Sequence, residues 1–255
     1  MFNITTSWDD GNKLDLKLLE LLNTYALKGT FYIPKKFDLK SLTDSEVIRF
    51  SNEQEVGGHT INHVKLTDVE NKIAASEVRE SKIYLENMLG KNIKMFCYPV
   101  GKYNSDIKEM VKNAGFLGAR TAKQFSFGVN DSFEFNPTIQ VYPFPMRKKD
   151  KDSFHLSRFL FDPVKNSAND ILRLKLPMAT FLSWPNLGKN LFDYFLKHGG
   201  VFHIWGHSWE IERYGMWSEL EELFKYVSNR PNCTYLTNSQ ILENKSSEYY
   251  EGFNS

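Results

Sequence analysis

The feature that most constrains the fold is a regular alternation of short β-rich runs with longer helical patterns along most of the 255 residues. This alternation is typical of βα units repeated around a parallel sheet or barrel. Strands are predicted over residues 2–8, 29–34, 54–60, 95–98, 116–121, 200–205 and 233–237. Helices are predicted over residues 13–27, 43–52, 67–89, 105–113, 187–197 and 218–229. The sequence therefore predicts an α/β protein.

The domain organisation predicted from these patterns is simple. No internal repeat or linker interrupts the chain, so residues 1–245 are predicted to form a single domain, followed by a polar, frayed tail over residues 246–255. Residues 123–182 are rich in Phe, Pro and Lys, and they are predicted to hold long loops and one more strand.

Charge and composition narrow the possible partners. A formal net charge of +1 gives no general attraction to nucleic acid or to an anionic membrane. No apolar run is long enough to cross a bilayer, and residues 1–6 lack the features of a signal peptide, so a cytoplasmic location is expected. Cys97 and Cys233 are expected to be two buried thiols rather than a disulfide. The aromatic content of 15% is compatible with a sugar-binding cleft.

Two clusters of polar residues follow predicted strands, where parallel α/β folds place their active sites. Asp9 and Asp10 follow the first strand, and adjacent carboxylates there can divide the work of metal ligand and base. An ordinary Asp-Asp-Gly turn is the alternative. His59 and His63 follow the third strand with a spacing that would put both on one face of a helical turn. Together with an aspartate, they would complete a two-histidine, one-carboxylate metal site.

Two further clusters add candidate groups. The fourth strand runs into Tyr98-Pro99-Val100-Gly101, where the break could point a backbone N–H at an oxyanion or could be only a turn. On the last long strand, His203, Trp205 and His207 alternate on one face. His207 at the strand end suits a general acid, whereas His203 is expected to be a core residue. His155 and His198 are expected at the surface.

These four clusters, in this order, resemble the motifs of the NodB-type polysaccharide deacetylases, carbohydrate esterase family four. The Asp-Asp-Gly motif of the family corresponds to Asp9-Asp10-Gly11, and its His-Ser/Thr-x-x-His motif is matched by residues 59–63. Its third motif aligns with residues 97–101, and its late histidine aligns with His207. The resemblance spans roughly residues 2–237 and implies a distorted (β/α) barrel of seven or eight strands.

The resemblance also implies a role for each matched residue. Asp9 would be the catalytic base and His207 the general acid. Asp10, His59 and His63 would hold a divalent ion, with Zn²⁺ best suited to the ligand set and Co²⁺, Mn²⁺ or Ni²⁺ also compatible. Oxyanion or substrate contacts are expected from the following residues: Tyr98, Val100, Arg120, Trp205 and Trp209.

The chain departs from the family pattern at three points, one of which is Val100 in place of an aromatic residue. Cys97 stands where many members carry an arginine that steadies the catalytic aspartate, and Arg120 at the end of the fifth strand is a candidate replacement. The Asp-x-x-Asp-Trp segment that often orients the histidine has no counterpart in the sequence.

The function implied is metal-dependent removal of an N-acetyl group from a sugar, oligosaccharide or polysaccharide, with release of acetate. One alternative is a related amidohydrolase that acts on a small linear or cyclic amide. The other is a non-catalytic barrel that binds sugars through its aromatic residues.

Overall fold

A computed structural model describes residues 2–37, 40–143, 172–177, 180 and 183–251. Most of the stretch predicted to hold long loops, including His155, lies outside these residues. The strands are β1 Phe2–Asp9, β2 Gly29–Ile33, β3 Glu55–Gly58, β4 Met95–Cys97, β5 Gly118–Arg120, β6 Ile139–Gln140, β7 Gly200–Gly206 and β8 Thr234–Tyr235. The α-helices are α1 Asp15–Thr24, α2 Asp44–Glu53, α3 Asn71–Leu89, α4 Ser105–Asn113, α5 Trp184–His198, α6 Ser208–Tyr214, α7 Trp217–Val227 and α8 Asn238–Glu251.

The strands form one curled parallel sheet in the order β5-β4-β3-β2-β1-β7-β6. β8 pairs with Asn3 and Ile4 at the start of β1, whereas β2 pairs with the end of β1. The segment just before β6 connects β6 with β5, the strand at the opposite edge of the sheet. Phe135 in this segment exchanges backbone hydrogen bonds with Ala119 and Thr121 at β5. The predicted distorted (β/α) barrel is therefore confirmed, with eight strands among the described residues.

Local sequence signals explain where two helices begin or end. Thr43 caps α2 in a capping box with Glu46, as the predicted start at residue 43 requires. Gly90 ends α3 with a φ of 65°, a left-handed conformation that glycine adopts without a steric penalty. The predicted helix over residues 67–89 is divided, since the 3₁₀ turn Leu66–Asp68 precedes the α-helix that starts at Asn71.

The C-terminal region is helical across residue 246, where a frayed tail was expected to begin. Helix α8 runs from Asn238 to Glu251, so the predicted boundary at residue 246 falls inside it. The side chain of Asn238 is fully buried and reaches into the barrel. It accepts a hydrogen bond from Thr5 (2.8 Å) and donates to Ser7 Oγ (2.7 Å) and Tyr32 Oη (2.8 Å). The first turn of α8 is therefore part of the barrel core. It is fixed by polar contacts, which the hydrophobic periodicity of the sequence cannot predict.

The two cysteines differ from each other in burial. Cys97 is buried as predicted, whereas Cys233 is only half-buried, and both are unpaired thiols. No helix within the described ranges is both long and apolar enough to span a membrane.

Candidate metal centre and active site

Asp9 and Asp10 lie at the carboxyl end of β1 and are both buried, with exposures of 4% and 3%. Asp9 is the last residue of the strand. Asp10 follows the strand and adopts a φ of 81°, a positive value that is uncommon for a residue other than glycine. A non-glycine residue held in this region stores backbone strain, a feature that clusters at functional sites.

The histidine pair follows β3 in a loop, not on the helical turn that the spacing predicts. Thr60 and His63 have left-handed φ values of 63° and 52°, which no α-helix contains. The two imidazole rings nevertheless lie close together, with centroids 4.8 Å apart. The prediction of shared ligation thus agrees with the geometry, although the local structure that produces it is different.

The carboxylate of Glu77 on α3 binds the loop between His59 and His63, called here the histidine loop. It accepts hydrogen bonds from the backbone N–H groups of Ile61 and Asn62 at 2.9 Å and from the Asn62 side chain at 2.5 Å. Because both backbone donors lie between the two histidines, Glu77 fixes the loop conformation on which their convergence depends. Glu77 is absent from the predicted site, and nothing in its helical sequence context indicates this role.

Gly57 and Gly58 lie where neighbouring strands pack closely. Both lie within β3. A Cβ atom on Gly57 would lie 2.6 Å from the Tyr32 ring and 2.9 Å from the Met95 carbonyl oxygen. Since real Cβ atoms do not approach other atoms this closely, the glycine serves close packing between neighbouring strands.

Three side chains converge with the spacing of a metal site. Oδ1 of Asp10 lies 3.6 Å from His59 Nε2 and 3.1 Å from His63 Nε2. Two ligands about 2.1 Å from one ion in tetrahedral geometry lie about 3.4 Å apart, so both separations fit a shared ion. Oδ1 of Asp10 is also buried without a hydrogen-bond partner among the described residues. The residues present therefore fit a divalent ion bound by Asp10, His59 and His63.

The remaining atoms of these ligands are held in orientations that suit this arrangement. Nδ1 of His59 donates to the Cys97 carbonyl oxygen at 2.9 Å, which leaves Nε2 as the nitrogen that can bind an ion. The indole N–H of Trp209 donates to Asp10 Oδ2 at 2.9 Å. Burial opposes ionisation of Asp10, but the neighbouring imidazoles of His59 and His63 outweigh it and hold the pKa of Asp10 well below its usual range.

Asp9 is held by a buried ion pair with Arg120 on β5. The guanidinium donates to Asp9 Oδ2, and the Cys97 thiol lies 3.6 Å from the same oxygen. Oδ1 of Asp9 is buried and has no hydrogen-bond partner among the described residues. Burial would raise the pKa of Asp9, but the charge of Arg120, followed by those of His59 and His207, lowers it below the usual value. Asp9 is therefore ionised at neutral pH.

His207 lies close to both aspartates. Its Nε2 is 3.9 Å from Asp9 Oδ2 and 3.8 Å from Asp10 Oδ2. Its Nδ1 lies 2.6 Å from Oε2 of Glu210, in the first turn of α6. Burial lowers the pKa of His207, but the hydrogen bond and charge of Glu210 outweigh it, and the pKa is raised above the usual value. Glu210 is missing from the predicted site, although its position three residues after His207 at a helix start could have indicated it.

His203 has the buried core position expected from the sequence. Its side chain is fully buried, and Nε2 lies 2.7 Å from Ser7 Oγ. Burial and the nearby charge of Arg120 lower the pKa of His203 well below the usual value, which keeps its ring neutral. His198 is exposed at the end of α5, as expected.

Three of the residues predicted to contact substrate have other partners. Tyr98 is 1% exposed, donates its hydroxyl to the Phe133 carbonyl oxygen at 3.1 Å, and stacks on Tyr103. Arg120 is 1% exposed and forms an ion pair with Asp9, which agrees with its prediction as the replacement arginine. Trp205 is buried with its ring 4.5 Å from the Arg120 guanidinium, so it packs against that cation.

The other two predicted contact residues remain accessible. Val100 has a left-handed φ of 50° in the 3₁₀ turn Pro99–Gly101, and its side chain is exposed. Trp209 is half-buried beside His207, with ring centroids 5.3 Å apart. The position of each is compatible with a contact to a bound substrate.

The fold and this cluster define an α/β barrel with a candidate hydrolytic metal centre at the carboxyl ends of its strands. Residues 3–119 match the family model described as polysaccharide deacetylase. Over 105 residues the chain is 29% identical to "Putative polysaccharide deacetylase YxkH" of Bacillus subtilis (strain 168). That match covers 40% of this chain and only 38% of the relative's length.

Two solved structures share the fold over nearly the whole chain. The putative polysaccharide deacetylase from Mycobacterium smegmatis is similar with a TM-score of 0.70 at 15% identity, covering 97% of this chain and 91% of that one. The Xyl-CE4 domain of a multidomain xylanase from the hindgut metagenome of Trinervitermes trinervoides gives a TM-score of 0.57 at 16% identity, covering 96% and 91%. The resemblance predicted from the motifs is confirmed by the match of residues 3–119 to the polysaccharide deacetylase model.

Proposed function

We propose that this protein is a metal-dependent hydrolase that removes the N-acetyl group from an N-acetylated sugar, oligosaccharide or polysaccharide and releases acetate. The observation that carries the proposal is the buried, unpartnered Oδ1 of Asp10, which faces the Nε2 atoms of His59 and His63 at ligand spacing. A buried carboxylate oxygen without a partner costs free energy unless something binds to it. Zn²⁺ suits this donor set best, and Co²⁺, Mn²⁺ or Ni²⁺ could occupy it.

Asp9 is the proposed catalytic base. The divalent ion, when bound, supplies Lewis-acid activation of water and of the acetamide carbonyl. The Asp9 oxygen that Arg120 does not hold, Oδ1, is then available to accept the proton of the attacking water. Arg120 contributes by keeping Asp9 ionised and by fixing which oxygen faces the reaction.

His207 is the proposed general acid. The pKa of His207 is raised above its usual value, which favours the protonated ring whose Nε2 can give a proton to the departing sugar amine. Glu210 holds the opposite ring nitrogen and so orients Nε2 toward the two aspartates. The backbone N–H at Val100, in the turn after β4, is proposed to stabilise the oxyanion of the tetrahedral intermediate.

The test is acetate release from N-acetylglucosamine oligomers, measured with added zinc and after chelation. The wild-type protein should release acetate only when a metal is supplied. Asp10→Ala should lose both bound metal and activity, whereas Asp9→Asn should keep the metal and lose turnover. Metal content is measured separately by elemental analysis, so the ligand and the base are distinguished.

Other outcomes would contradict the proposal in specific ways. Binding of the oligomers by the metal-loaded protein without acetate release would indicate the non-catalytic sugar-binding barrel. Hydrolysis of the C–N bond in small linear or cyclic amides, with no action on sugars, would indicate the related amidohydrolase. Near wild-type turnover by Asp9→Asn would show that Asp9 is not the base.

A further inference from the structure

The two carboxylate oxygens of Asp10 have different partners. Oδ1 faces Nε2 of His59 and Nε2 of His63, and it accepts no hydrogen bond among the described residues. Oδ2 accepts a hydrogen bond of 2.9 Å from the indole N–H of Trp209. Asp10 is buried, so bulk water has little access to either oxygen. The two oxygens are therefore in different environments, and only Oδ1 is available to an ion.

A second possible donor lies near Oδ2 of Asp10. Nε2 of His207 is 3.8 Å away, which is beyond hydrogen-bond distance. The indole N–H of Trp209 is closer, and a hydrogen bond to an ionised carboxylate is among the stronger kinds. Because Trp209 satisfies Oδ2, Asp10 does not require His207 as a partner. The indole thus keeps the proposed metal ligand and the proposed acid apart.

The position of Trp209 is fixed by the helix that carries it. Trp209 is the second residue of α6, which begins at Ser208 directly after His207. Ser208 and Ile211 on this helix are fully buried, so its first turn is packed against the rest of the protein. The Trp209 ring also lies beside His207, with centroids 5.3 Å apart. A donor held by packing in this way can fix the orientation of the carboxylate that it contacts.

We propose that Trp209 is a positioning residue of the metal centre, whose indole N–H holds Oδ2 of Asp10 so that this carboxylate binds the ion through Oδ1 alone. Binding through one oxygen leaves positions on the ion for water and the acetamide, as a catalytic metal requires. The sequence predicts Trp209 only as a substrate or oxyanion contact, so this role is additional. The inference rests on the proposed function for the presence of the ion.

The experiment compares two variants of Trp209 by their affinity for Zn²⁺, measured by competition with a chromophoric chelator. Trp209→Phe keeps an aromatic ring beside His207 but removes the donor, so the affinity should fall about 10–100-fold. Trp209→Gln removes the ring but keeps an N–H donor, separated from Cα by the same number of bonds as the indole nitrogen. This variant should therefore bind Zn²⁺ more tightly than Trp209→Phe does.

The coordination of the ion is a second readout, measured with Co²⁺, which this donor set also accepts. The visible absorption of Co²⁺ depends on its ligands. In Trp209→Phe the released Oδ2 can approach the ion, so the spectrum should change. Trp217→Phe is the matched control, because Trp217 is also half-buried and its indole N–H donates to a carboxylate, that of Glu212, at 2.6 Å. The control should keep the wild-type spectrum and the wild-type Zn²⁺ affinity.

Three results would overturn the proposal. These are an unchanged Zn²⁺ affinity in Trp209→Phe, an unchanged Co²⁺ spectrum in that variant, and an affinity in Trp209→Gln no higher than in Trp209→Phe. Thermal unfolding of the metal-free proteins separates positioning from a structural role, since a structural role would lower the unfolding temperature of Trp209→Phe and leave its affinity unchanged. Failure of the wild-type protein to bind Zn²⁺ would contradict the proposed function together with the inference.

Discussion

Arg120 and Cys97 are register partners on the neighbouring parallel strands β5 and β4. Both side chains reach Oδ2 of Asp9, the guanidinium as hydrogen-bond donor and the thiol at 3.6 Å. Partners in a parallel register project from the same face of the sheet. An arginine one strand away can therefore occupy the position beside Asp9 that the family resemblance assigns to residue 97.

The first prediction tests this relocation. Arg120→Met should lower the free energy of unfolding by roughly 3–5 kcal/mol, because it leaves Asp9 as an uncompensated buried charge. It should also lower kcat. The exchange variant Cys97→Arg/Arg120→Cys should regain part of both, since residue 97 already contacts the same oxygen. Denaturant unfolding and acetate release measure the two effects, and an exchange variant no better than Arg120→Met would refute the idea that the two positions are equivalent.

The second prediction separates the two histidines of β7. His207→Ala should reduce kcat by about 10²–10⁴, the usual range for loss of a general acid or base. His203→Ala should mainly lower the thermal unfolding temperature, because it removes a buried contact with Ser7. The rate per folded molecule should then remain close to wild type. Abolished turnover in His203→Ala with a benign His207→Ala would show that the acid is the other histidine.

The third prediction concerns Glu210 as a positioning residue. Glu210→Gln keeps an acceptor for His207 Nδ1 but removes the charge, so kcat should fall about tenfold or more, the value of a charged hydrogen bond of roughly 1.5–3 kcal/mol. KM and metal content should change little, because the role assigned to Glu210 is to orient His207 rather than to bind substrate or ion. Glu221→Gln, which removes an exposed carboxylate paired with Tyr25, is the control. A change in KM alone would contradict the assigned role.

The fourth prediction concerns the histidine loop. Glu77→Ala should weaken metal affinity by about 10–100-fold, the usual cost of losing a group that supports metal ligands. The three ligands themselves are unchanged in this variant. Glu80→Ala is the matched control, since Glu80 lies three residues further along α3, is exposed, and pairs with Arg79. Metal titration followed by competition with a chelator measures both variants, and equal affinities would show that the loop holds its shape without Glu77.

The fifth prediction is a pH dependence of stability at Asp15. This residue is fully buried, and neither carboxylate oxygen has a hydrogen-bond partner among the described residues. Burial raises the pKa of Asp15 well above the usual value. The folded state therefore keeps the proton to a higher pH than the unfolded chain does. The contribution of Asp15 to the free energy of unfolding is fully present at pH values below its pKa in the unfolded chain. It is lost as the pH rises through its pKa in the folded state.

Asp15→Asn should consequently stabilise the protein by about 1–3 kcal/mol near pH 8, and the gain should vanish near pH 3.5. Denaturant unfolding of the wild-type protein and of the variant at both values measures this difference. If Asp15→Asn lowered the free energy of unfolding equally at both pH values, Asp15 would stabilise the fold through its contacts. It would then not destabilise the fold through its charge.

Much of the fold could be predicted from local sequence. The alternation of strand and helix patterns fixes the element order because burial on one face imposes a period of 2.0 or 3.6 residues. Capping signals such as Thr43 and Gly90 fix helix ends for equally local reasons. Helix α8 escaped prediction because its anchor, Asn238, is a buried polar residue satisfied by partners more than 200 positions away.

The sequence by itself determined which residues could form the site, because carboxylates and histidines after strand ends have few other uses. Only the tertiary structure decided how they are supported. Arg120 reaches Asp9 across 111 positions through the register of β4 with β5, and Glu77 reaches the histidine loop from a neighbouring helix. Such contacts depend on how strands align and how the sheet curls. Periodicity carries no information on either, since it reports which face of an element is buried but not what lies against that face.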